Sequence, residues 1–124
     1  MTCRLTQVTP FVCCSDLARS IKFYRDVLGF TVGYHADNYA FMRRDDVALR
    51  LLEVEPETDI AARQNAFYID AKNLDAMYLS MKPKLDSLPE GRVRPPFDQD
   101  YGQREFHVLD PDGTLVFFGE AISQ

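Results

Sequence analysis

Apolar positions near the start of the chain predict a β-strand followed by an amphipathic helix. Residues 7–14 are rich in Val and Phe, which favours a strand. Four apolar side chains then follow at spacings that stripe one face of a helix: Leu17, Ile21, Tyr24 and Leu28. Ser15 or Asp16 is placed to cap the first turn, and Gly29 is placed to end the helix in a left-handed conformation.

Three short strands are predicted after this helix, at residues 31–35, 39–43 and 47–54. Two pairs of residues that favour tight turns separate them, namely Asp37-Asn38 and Asp45-Asp46. Residues 56–64 are charged and lack apolar periodicity. We therefore expect a linker to follow a βαβββ unit.

The second half repeats the start of this order. Residues 66–71 predict a strand, and Asn73 is placed to cap the helix that follows. The apolar positions of that helix are Leu74, Met77, Met81 and, past Pro83, Leu85. The triplets Ser15-Asp16-Leu17 and Lys72-Asn73-Leu74 thus lie between a strand and a helix in the same register.

The remainder of the second half predicts a short strand, a loop and a hairpin. Residues 92–94 are expected to pair as a strand, and residues 95–102 form a polar, aromatic loop. Strands at 104–109 and 115–118 flank Asp110-Pro111-Asp112-Gly113, a strong turn signal.

The βαβββ order therefore occurs twice, at about 5–55 and 65–121, inside one domain spanning residues 1–124. One such unit exposes a sheet face that it cannot cover alone. We expect an α+β fold in which two βαβββ modules form curved mixed sheets around a cleft.

Composition narrows the class of partner. Hydrophobic residues make up 46% of the chain and charged residues 27%, and the formal net charge is −5. A surface that follows phosphates needs positive charge, so nucleic acid is not expected as a partner. No apolar run is long enough to span a bilayer and no signal peptide is recognised, which favours a cytoplasmic protein without a membrane partner. The three cysteines are expected to be free thiols.

Four segments resemble the vicinal oxygen chelate superfamily, which includes glyoxalases, extradiol dioxygenases and bleomycin-resistance proteins. Residues 10–30 are similar to its first strand and helix, PFVCCSDLARSIKFYRDVLGF. Residues 39–49, 73–78 and 101–113, the last reading YGQREFHVLDPDG, resemble the bleomycin-resistance branch in particular. The resemblance implies the glyoxalase/bleomycin-resistance fold, and a homodimer in which residues 7–14 form an arm exchanged between subunits.

By the same resemblance, enzymes of this superfamily hold a metal ion at four strand positions. In this chain those positions fall on residues that are not ordinary metal ligands: Thr9, Arg50, Ala66 and Phe117. We therefore expect no metal, no cofactor and no catalytic residue. Glu105 and His107 alternate along one strand, so they are expected to share a face, as a structural pair more than an acid–base site.

Planar rings stack on aromatic side chains, and cations are attracted to ring faces and carboxylates. The candidate ligand-binding residues are Tyr39, Tyr68, Tyr101, Asp98, Asp100 and Asp37. The antibiotic-binding members carry a tryptophan in the loop before Arg104, and this chain has none. Arg50 would add positive charge where a cationic ligand is expected, unless it pairs with Glu53, Asp70 or Glu105.

Three functional hypotheses follow. The first is a homodimeric binding protein that sequesters a planar, cationic antibiotic such as bleomycin, or a similar small molecule. The alternative is a metal-dependent glyoxalase-type lyase or extradiol dioxygenase of the same superfamily. A third is a regulatory or immunity module that has lost ligand binding.

Overall fold

The computed structural model describes residues 2–123, which form two βαβββ modules joined by a single 3₁₀ turn. The elements of the first module are β1 (Phe11–Cys14), α1 (Leu17–Asp26), β2 (Thr31–Ala36), β3 (Tyr39–Arg44) and β4 (Val47–Glu53). The turn is Ala61–Arg63. The elements of the second module are β5 (Ala66–Asp70), α2 (Leu74–Leu85), β6 (Val93–Asp98), β7 (Gln103–Leu109) and β8 (Leu115–Ala121).

Each module contributes one four-stranded mixed sheet. The strand orders are β1-β4-β3-β2 and β5-β8-β7-β6, so the two sheets have the same topology. In both, the first strand pairs in parallel with the last, and the remaining neighbours are antiparallel. The predicted α+β class with two repeated modules is confirmed.

The two faces of each sheet differ because side chains alternate along a strand. One face is buried in the core between sheets and helices, as Leu49, Leu51, Phe106 and Phe118 show. The opposite face is lined by half-buried and exposed side chains, which include Phe11, Phe41 and Tyr68. We call these two surfaces the first and second open faces, after the module that carries them.

A glutamate from the last strand caps the helix in each module. The Glu53 carboxylate accepts a hydrogen bond of 2.7 Å from the backbone N–H of Leu17. The Glu120 carboxylate accepts bonds of 2.8 and 3.0 Å from the N–H groups of Asn73 and Leu74. Asn73 stands at the expected cap position but its side chain makes no capping bond, because its left-handed backbone points the N–H groups at Glu120 instead.

The first strand is shorter than predicted. Residues 7–10 precede β1 without strand structure, although the Pro10 carbonyl still accepts a 2.9 Å bond from Arg50 N–H. Phe11 to Cys14 pair with β4 of the same chain, and the exchange of residues 7–14 between subunits stays a prediction. Two apolar side chains that precede β1, Leu5 and Val8, are 101% and 90% exposed.

The sixth strand begins at Val93, where a short strand was expected, and continues into the predicted loop. Pro95 and Pro96 lie inside β6, which the sequence pattern did not predict. They fit because β6 is an edge strand and its pairing with β7 shifts register between Arg94 and Phe97. A proline lacks the N–H that an inner strand needs, and an edge or bulge position tolerates that loss.

The two modules also contact each other through the turn between β7 and β8. Within this turn Asp112 accepts hydrogen bonds from the Ser15 hydroxyl at 2.6 Å and from the Ser15 N–H at 3.2 Å. Arg19 of α1 adds an ion pair to the same carboxylate at 3.3 Å. The turn of the second module therefore covers the start of the first helix.

Neither helix between residues 2 and 123 has the length and hydropathy required to cross a membrane. The three cysteines are free, and they differ in exposure: Cys3 is exposed, Cys13 is half-buried and Cys14 is buried. Burial raises the pKa of the Cys14 thiol to about 12, so this group is a neutral core side chain at neutral pH.

Candidate functional site

A row of aromatic side chains crosses the second open face. Strand pairing sets Tyr68, Phe117 and His107 side by side on three neighbouring strands. The Tyr68 and Phe117 rings stack with centroids 5.7 Å apart, and the His107 ring lies 4.3 Å from Phe117. Phe97 meets the edge of His107 at 5.1 Å, and the Arg94 guanidinium stands 3.5 Å above Phe97. The face thus offers a continuous surface of rings.

Glu105 lies among these rings and is completely buried. Its carboxylate accepts a 2.6 Å hydrogen bond from the Tyr101 hydroxyl and a 3.1 Å bond from the Gln99 amide. His107 Nε2 lies 2.8 Å from the same carboxylate, as strand alternation predicted for this pair. The arrangement fixes one negative charge and orients the exposed Tyr101 ring above it.

The pKa values in this cluster follow from its hydrogen bonds. Burial alone would raise the pKa of the Glu105 carboxyl, but bonds from Tyr101, His107 and Gln99 outweigh burial and lower it. The pKa of the Tyr68 phenol is raised by desolvation and by the nearby Glu105 carboxylate. Glu105 is therefore held as a carboxylate acceptor, and Tyr68 as a neutral phenol.

Gly119 explains how the Tyr68 ring lies so close to the sheet. Tyr68 crosses over this glycine, and a Cβ atom there would collide with the phenol oxygen and ring carbons. The phenol then reaches across to donate a 3.2 Å hydrogen bond to Gln103. The Tyr68 ring can therefore stack on Phe117 only because residue 119 has no side chain.

The first open face carries a second cluster, built around Arg50. The strand register places Phe11 and Phe41 on either side of it, with Tyr34 beyond Phe41. The Arg50 guanidinium donates a 2.8 Å bond to the Thr9 hydroxyl and a 2.5 Å bond to the Tyr39 hydroxyl. The guanidinium carbon of Arg50 lies 5.0 Å from the centroid of the Phe41 ring.

The six candidate binding residues do not form one site within the chain. Tyr68 and Tyr101 both contact the cluster of the second open face, whereas Tyr39 belongs to the Arg50 cluster of the first. Asp98 pairs with Arg104 at 3.0 Å. Asp37 and Asp100 are exposed turn residues, and within residues 2–123 no side-chain hydrogen bond or ion pair holds either. The role of all six in binding stays a prediction.

Two grooves of about 480 and 510 Å³ are lined by residues of both modules. Met77 and Asp70 line the first, and Val8 and Pro10 of the N-terminal segment line the second. Of the three candidate tyrosines only Tyr68 borders either groove. The aromatic clusters therefore lie on the open sheet faces, and the cluster of the second face meets the second groove at Tyr68.

Residues 4–118 match the family model described as Glyoxalase/Bleomycin resistance protein/Dioxygenase superfamily. The chain belongs to this superfamily. The resemblance noted in four separate segments is confirmed, and it extends over nearly the whole chain.

Relatives of this superfamily member include proteins named for bleomycin. The chain is 28% identical to a bleomycin resistance protein of Geobacillus stearothermophilus over 133 aligned positions, which are 95% of this chain and 98% of that protein. It is similar in fold to the bleomycin-binding protein of Streptomyces verticillus solved with copper(II)-bleomycin, with a TM-score of 0.80, 24% identity and 99% and 100% of the two chains covered. Another bleomycin-binding protein, solved with bleomycin, has a TM-score of 0.81 and 24% identity, with 94% of this chain and 98% of that chain covered.

The positions that the resemblance assigned to metal ligands do not suit a metal in this superfamily member. Thr9 is engaged by the Arg50 guanidinium, and a guanidinium repels a cation. In the second module Phe117 is occupied by ring contacts, and Ala66 offers only a methyl group. Across residues 2–123 no cluster of three or more His, Cys, Asp or Glu side chains is arranged to hold a metal ion.

The predicted ligand-binding residues did not include three residues that organise the two clusters in the structure: Glu105, Gln99 and Arg50. Strand alternation placed Glu105 beside His107, but it could not show that Tyr101 and Gln99 turn back from the loop to the same carboxylate. Arg50 could have been identified from strand alternation, because it lies on the sheet face that carries Tyr39 and Phe41. The expected alternatives, pairing with Glu53, Asp70 or Glu105, are not made, because Glu53 caps α1 and the other two lie on the second sheet.

Proposed function

We propose that this protein binds a planar small molecule on its aromatic open faces and sequesters it without chemical change, in the manner of the bleomycin-resistance branch. The observation that carries the proposal is the row of Tyr68, Phe117 and His107 beside a buried carboxylate. Stacked rings recognise a flat ligand, and Glu105 adds a fixed negative charge beneath them. The bleomycin resistance proteins among its relatives support the same ligand class.

The ligand class we expect is planar and at least partly cationic, with bleomycin as the reference compound. Tyr101 presents an exposed ring whose hydroxyl is fixed by Glu105, so its orientation costs little entropy on binding. Asp100 and Asp37 are exposed and carry negative charge near the ends of the two faces. Asp98 is paired with Arg104, so we expect it to position the loop and not to meet the ligand directly.

We further propose a homodimer in which the clefts form between modules of different chains. Two observations support it: both open faces carry apolar side chains, and Leu5, Val8 and Phe11 are highly exposed in the single chain. Apolar side chains in such numbers on one segment are typical of an interface. The segment before β1 would then reach across to the partner subunit.

Isothermal titration calorimetry with metal-free and copper-loaded bleomycin tests ligand binding. At about 50 μM protein a ligand with a Kd near 1 μM would give a saturating titration. We expect saturable heat with at least one of the two forms. A flat titration with both would contradict the proposal.

Two variants locate the site, and a third serves as the control. Replacing Tyr101 or Tyr68 by Ala removes a stacking ring, so we expect each change to weaken binding by about tenfold. Leu79→Ala removes an exposed apolar side chain from α2, outside both open faces, and is expected to leave the affinity unchanged. Equal affinities in all three variants would place the ligand elsewhere.

Light scattering coupled to size-exclusion chromatography tests the dimer. We expect the mass of two chains for the unmodified protein and of one chain when Leu5 and Val8 are both replaced by Asp. Leu79→Asp introduces the same charge on α2 and is expected to leave the dimer intact. A monomeric unmodified protein would contradict this part of the proposal while leaving ligand binding to be judged by calorimetry.

We also infer a cytoplasmic location, as the sequence led us to expect. The three free cysteines support it, since thiols stay reduced in the cytoplasm. Cell fractionation with an antibody against the protein is the test, and recovery outside the cytoplasm would contradict it.

A further inference from the structure

We propose that Arg50 forms an anion-binding subsite on the first open face, which takes a carboxylate group of a planar aromatic ligand. The inference rests on the proposed function, because it assumes that the open faces bind planar molecules. It extends that function, because a fixed guanidinium is the opposite of what a purely cationic ligand requires. The ligand would therefore carry an anionic group in addition to its planar ring.

The guanidinium of Arg50 is held in place by neutral groups. Its Nε donates to the Thr9 hydroxyl and one terminal nitrogen donates to the Tyr39 hydroxyl. A guanidinium has five N–H donors, so three remain for a ligand. Neither hydroxyl neutralises its charge, and both bonds fix the plane of the group before a ligand arrives. Such preorganisation lowers the entropy lost on binding.

No carboxylate within residues 2–123 forms an ion pair with Arg50. The same holds for Arg43, whose guanidinium carbon lies 5.6 Å from the centroid of the Phe41 ring that Arg50 also contacts. Two cations therefore share one ring on a half-buried surface of a protein whose net charge is −5. An anion placed there would relieve their mutual repulsion, which is strongest where water is partly excluded.

The rings beside Arg50 define the other part of the ligand. Phe11 and Phe41 flank it in register on the neighbouring strands. Tyr34 and Tyr39 lie farther along the same face with ring centroids 6.1 Å apart. A flat ring system placed over these side chains would bring a carboxylate on its edge to the free N–H donors. The planar fork of a guanidinium matches a carboxylate better than an ammonium does.

The test compares two flat probes of equal shape and different charge, 2-naphthoate and 2-naphthamide. Their binding is followed by chemical-shift changes of the protein in two-dimensional NMR spectra, including the Nε–H signals of the arginines. We expect 2-naphthoate to bind about tenfold more tightly than 2-naphthamide, since a charge-assisted hydrogen bond is worth about that ratio. We also expect the Arg50 Nε–H signal to move with 2-naphthoate only.

Three variants assign the preference to this residue. Arg50→Gln is expected to remove the preference for 2-naphthoate, and Arg50→Lys to restore only part of it. Arg25→Gln removes the same charge from α1, far from the open face, and is expected to retain the full preference. Thermal unfolding of each variant shows whether it is folded, and the Arg50→Lys result stands even if Arg50→Gln fails to fold.

The outcomes separate this inference from the proposed function. If bleomycin binds but 2-naphthoate does not, or shows no preference over 2-naphthamide, the anion subsite is wrong and the binding function stands. If neither bleomycin nor either naphthyl probe binds, both are wrong. If the preference persists unchanged in Arg50→Gln, another cation recognises the carboxylate and the assignment to Arg50 fails.

Discussion

The Tyr24 hydroxyl donates a buried hydrogen bond of 2.9 Å to the Asp110 carboxylate, and this bond joins the two modules. Tyr24 lies on α1, and Asp110 begins the turn between β7 and β8. The other oxygen of Asp110 accepts bonds of 2.9 Å from the N–H groups of Asp112 and Thr114. One carboxylate therefore shapes its own turn and holds the helix of the other repeat.

Replacing Tyr24 by Phe tests this link. The change leaves a buried carboxylate oxygen without its donor, so we expect a loss of about 1–3 kcal/mol in the free energy of unfolding, measured by urea denaturation. Tyr78→Phe is the control, because Tyr78 packs its ring on Phe106 and its hydroxyl makes no hydrogen bond within the described residues 2–123. Equal losses in the two variants would contradict a specific role for the bond.

The loss in the free energy of unfolding caused by Tyr24→Phe is expected to increase with pH. Burial raises the pKa of the Asp110 carboxyl above its unfolded value, and Tyr24 opposes the rise by bonding to the charged form. The stability contributed by protonating Asp110 is therefore present below its unfolded pKa, about 3.9, and is lost as the pH rises through the folded value. We expect the Tyr24→Phe loss to grow over this pH range. A loss that is independent of pH would contradict the coupling between the Tyr24 hydrogen bond and the charge of Asp110.

Glu105 is expected to show the opposite pH dependence. Its pKa is lowered in the folded state, despite its burial, by the hydrogen bonds it accepts. The stability it contributes is therefore present above its unfolded pKa and is lost as the pH falls through the lower folded value. Glu105→Gln should cost about 1–2 kcal/mol at pH 7 and progressively less below about pH 4. Urea denaturation at several pH values measures this, and a constant difference would contradict it.

Gly119→Ala tests the contact that seats Tyr68. A methyl group at this position collides with the phenol of Tyr68, so we expect the ring to leave its stack on Phe117 at a cost of about 1–3 kcal/mol. The same substitution in a Tyr68→Ala background has no phenol to displace and should cost much less. A double-mutant cycle from thermal or urea unfolding measures the coupling. Additive effects would show that residue 119 does not act through Tyr68.

The two capping glutamates are expected to contribute to stability in parallel. Glu53→Ala and Glu120→Ala each remove the acceptor at the start of a helix, at a cost of about 1 kcal/mol. Glu57→Ala removes an exposed glutamate from the connection between modules and should change stability by less than about 0.5 kcal/mol. Because the modules are joined through Tyr24 and Asp110, we expect one cooperative unfolding transition in every case. Two separate transitions would contradict the prediction of a single domain.

Metal analysis of protein purified without chelators tests the expectation of a metal-free site. We expect only sub-stoichiometric zinc, nickel, manganese or iron, since Arg50 and Phe117 offer no ligand at the positions in question. Stoichiometric metal would contradict this and would support the alternative of a metal-dependent lyase or dioxygenase.

Much of the fold follows from local pattern. Three predicted features depend on patterns that span only a few residues. They are the helical stripe that contains Ile21 and Tyr24, the turn that begins at Asp110, and the alternation of Glu105 with His107. That information is enough to order the elements and to predict two modules. It failed at β6, where Pro95 and Pro96 suggest a loop, because tolerance of proline depends on being at the edge of the sheet.

The site depends on pairings that local pattern does not contain. Thr9 and Arg50 are 41 residues apart, and Tyr24 and Asp110 are 86 residues apart. Which side chains meet across a sheet is set by strand order and register, and one residue of slip would move every side chain to the opposite face. The sequence by itself determined the elements, their repetition and the residues unsuited to hold a metal. Only the tertiary structure decided that Arg50 has no acidic partner among residues 2–123 and that the loop turns Gln99 and Tyr101 back to Glu105, because both depend on how strands and loops are placed in space.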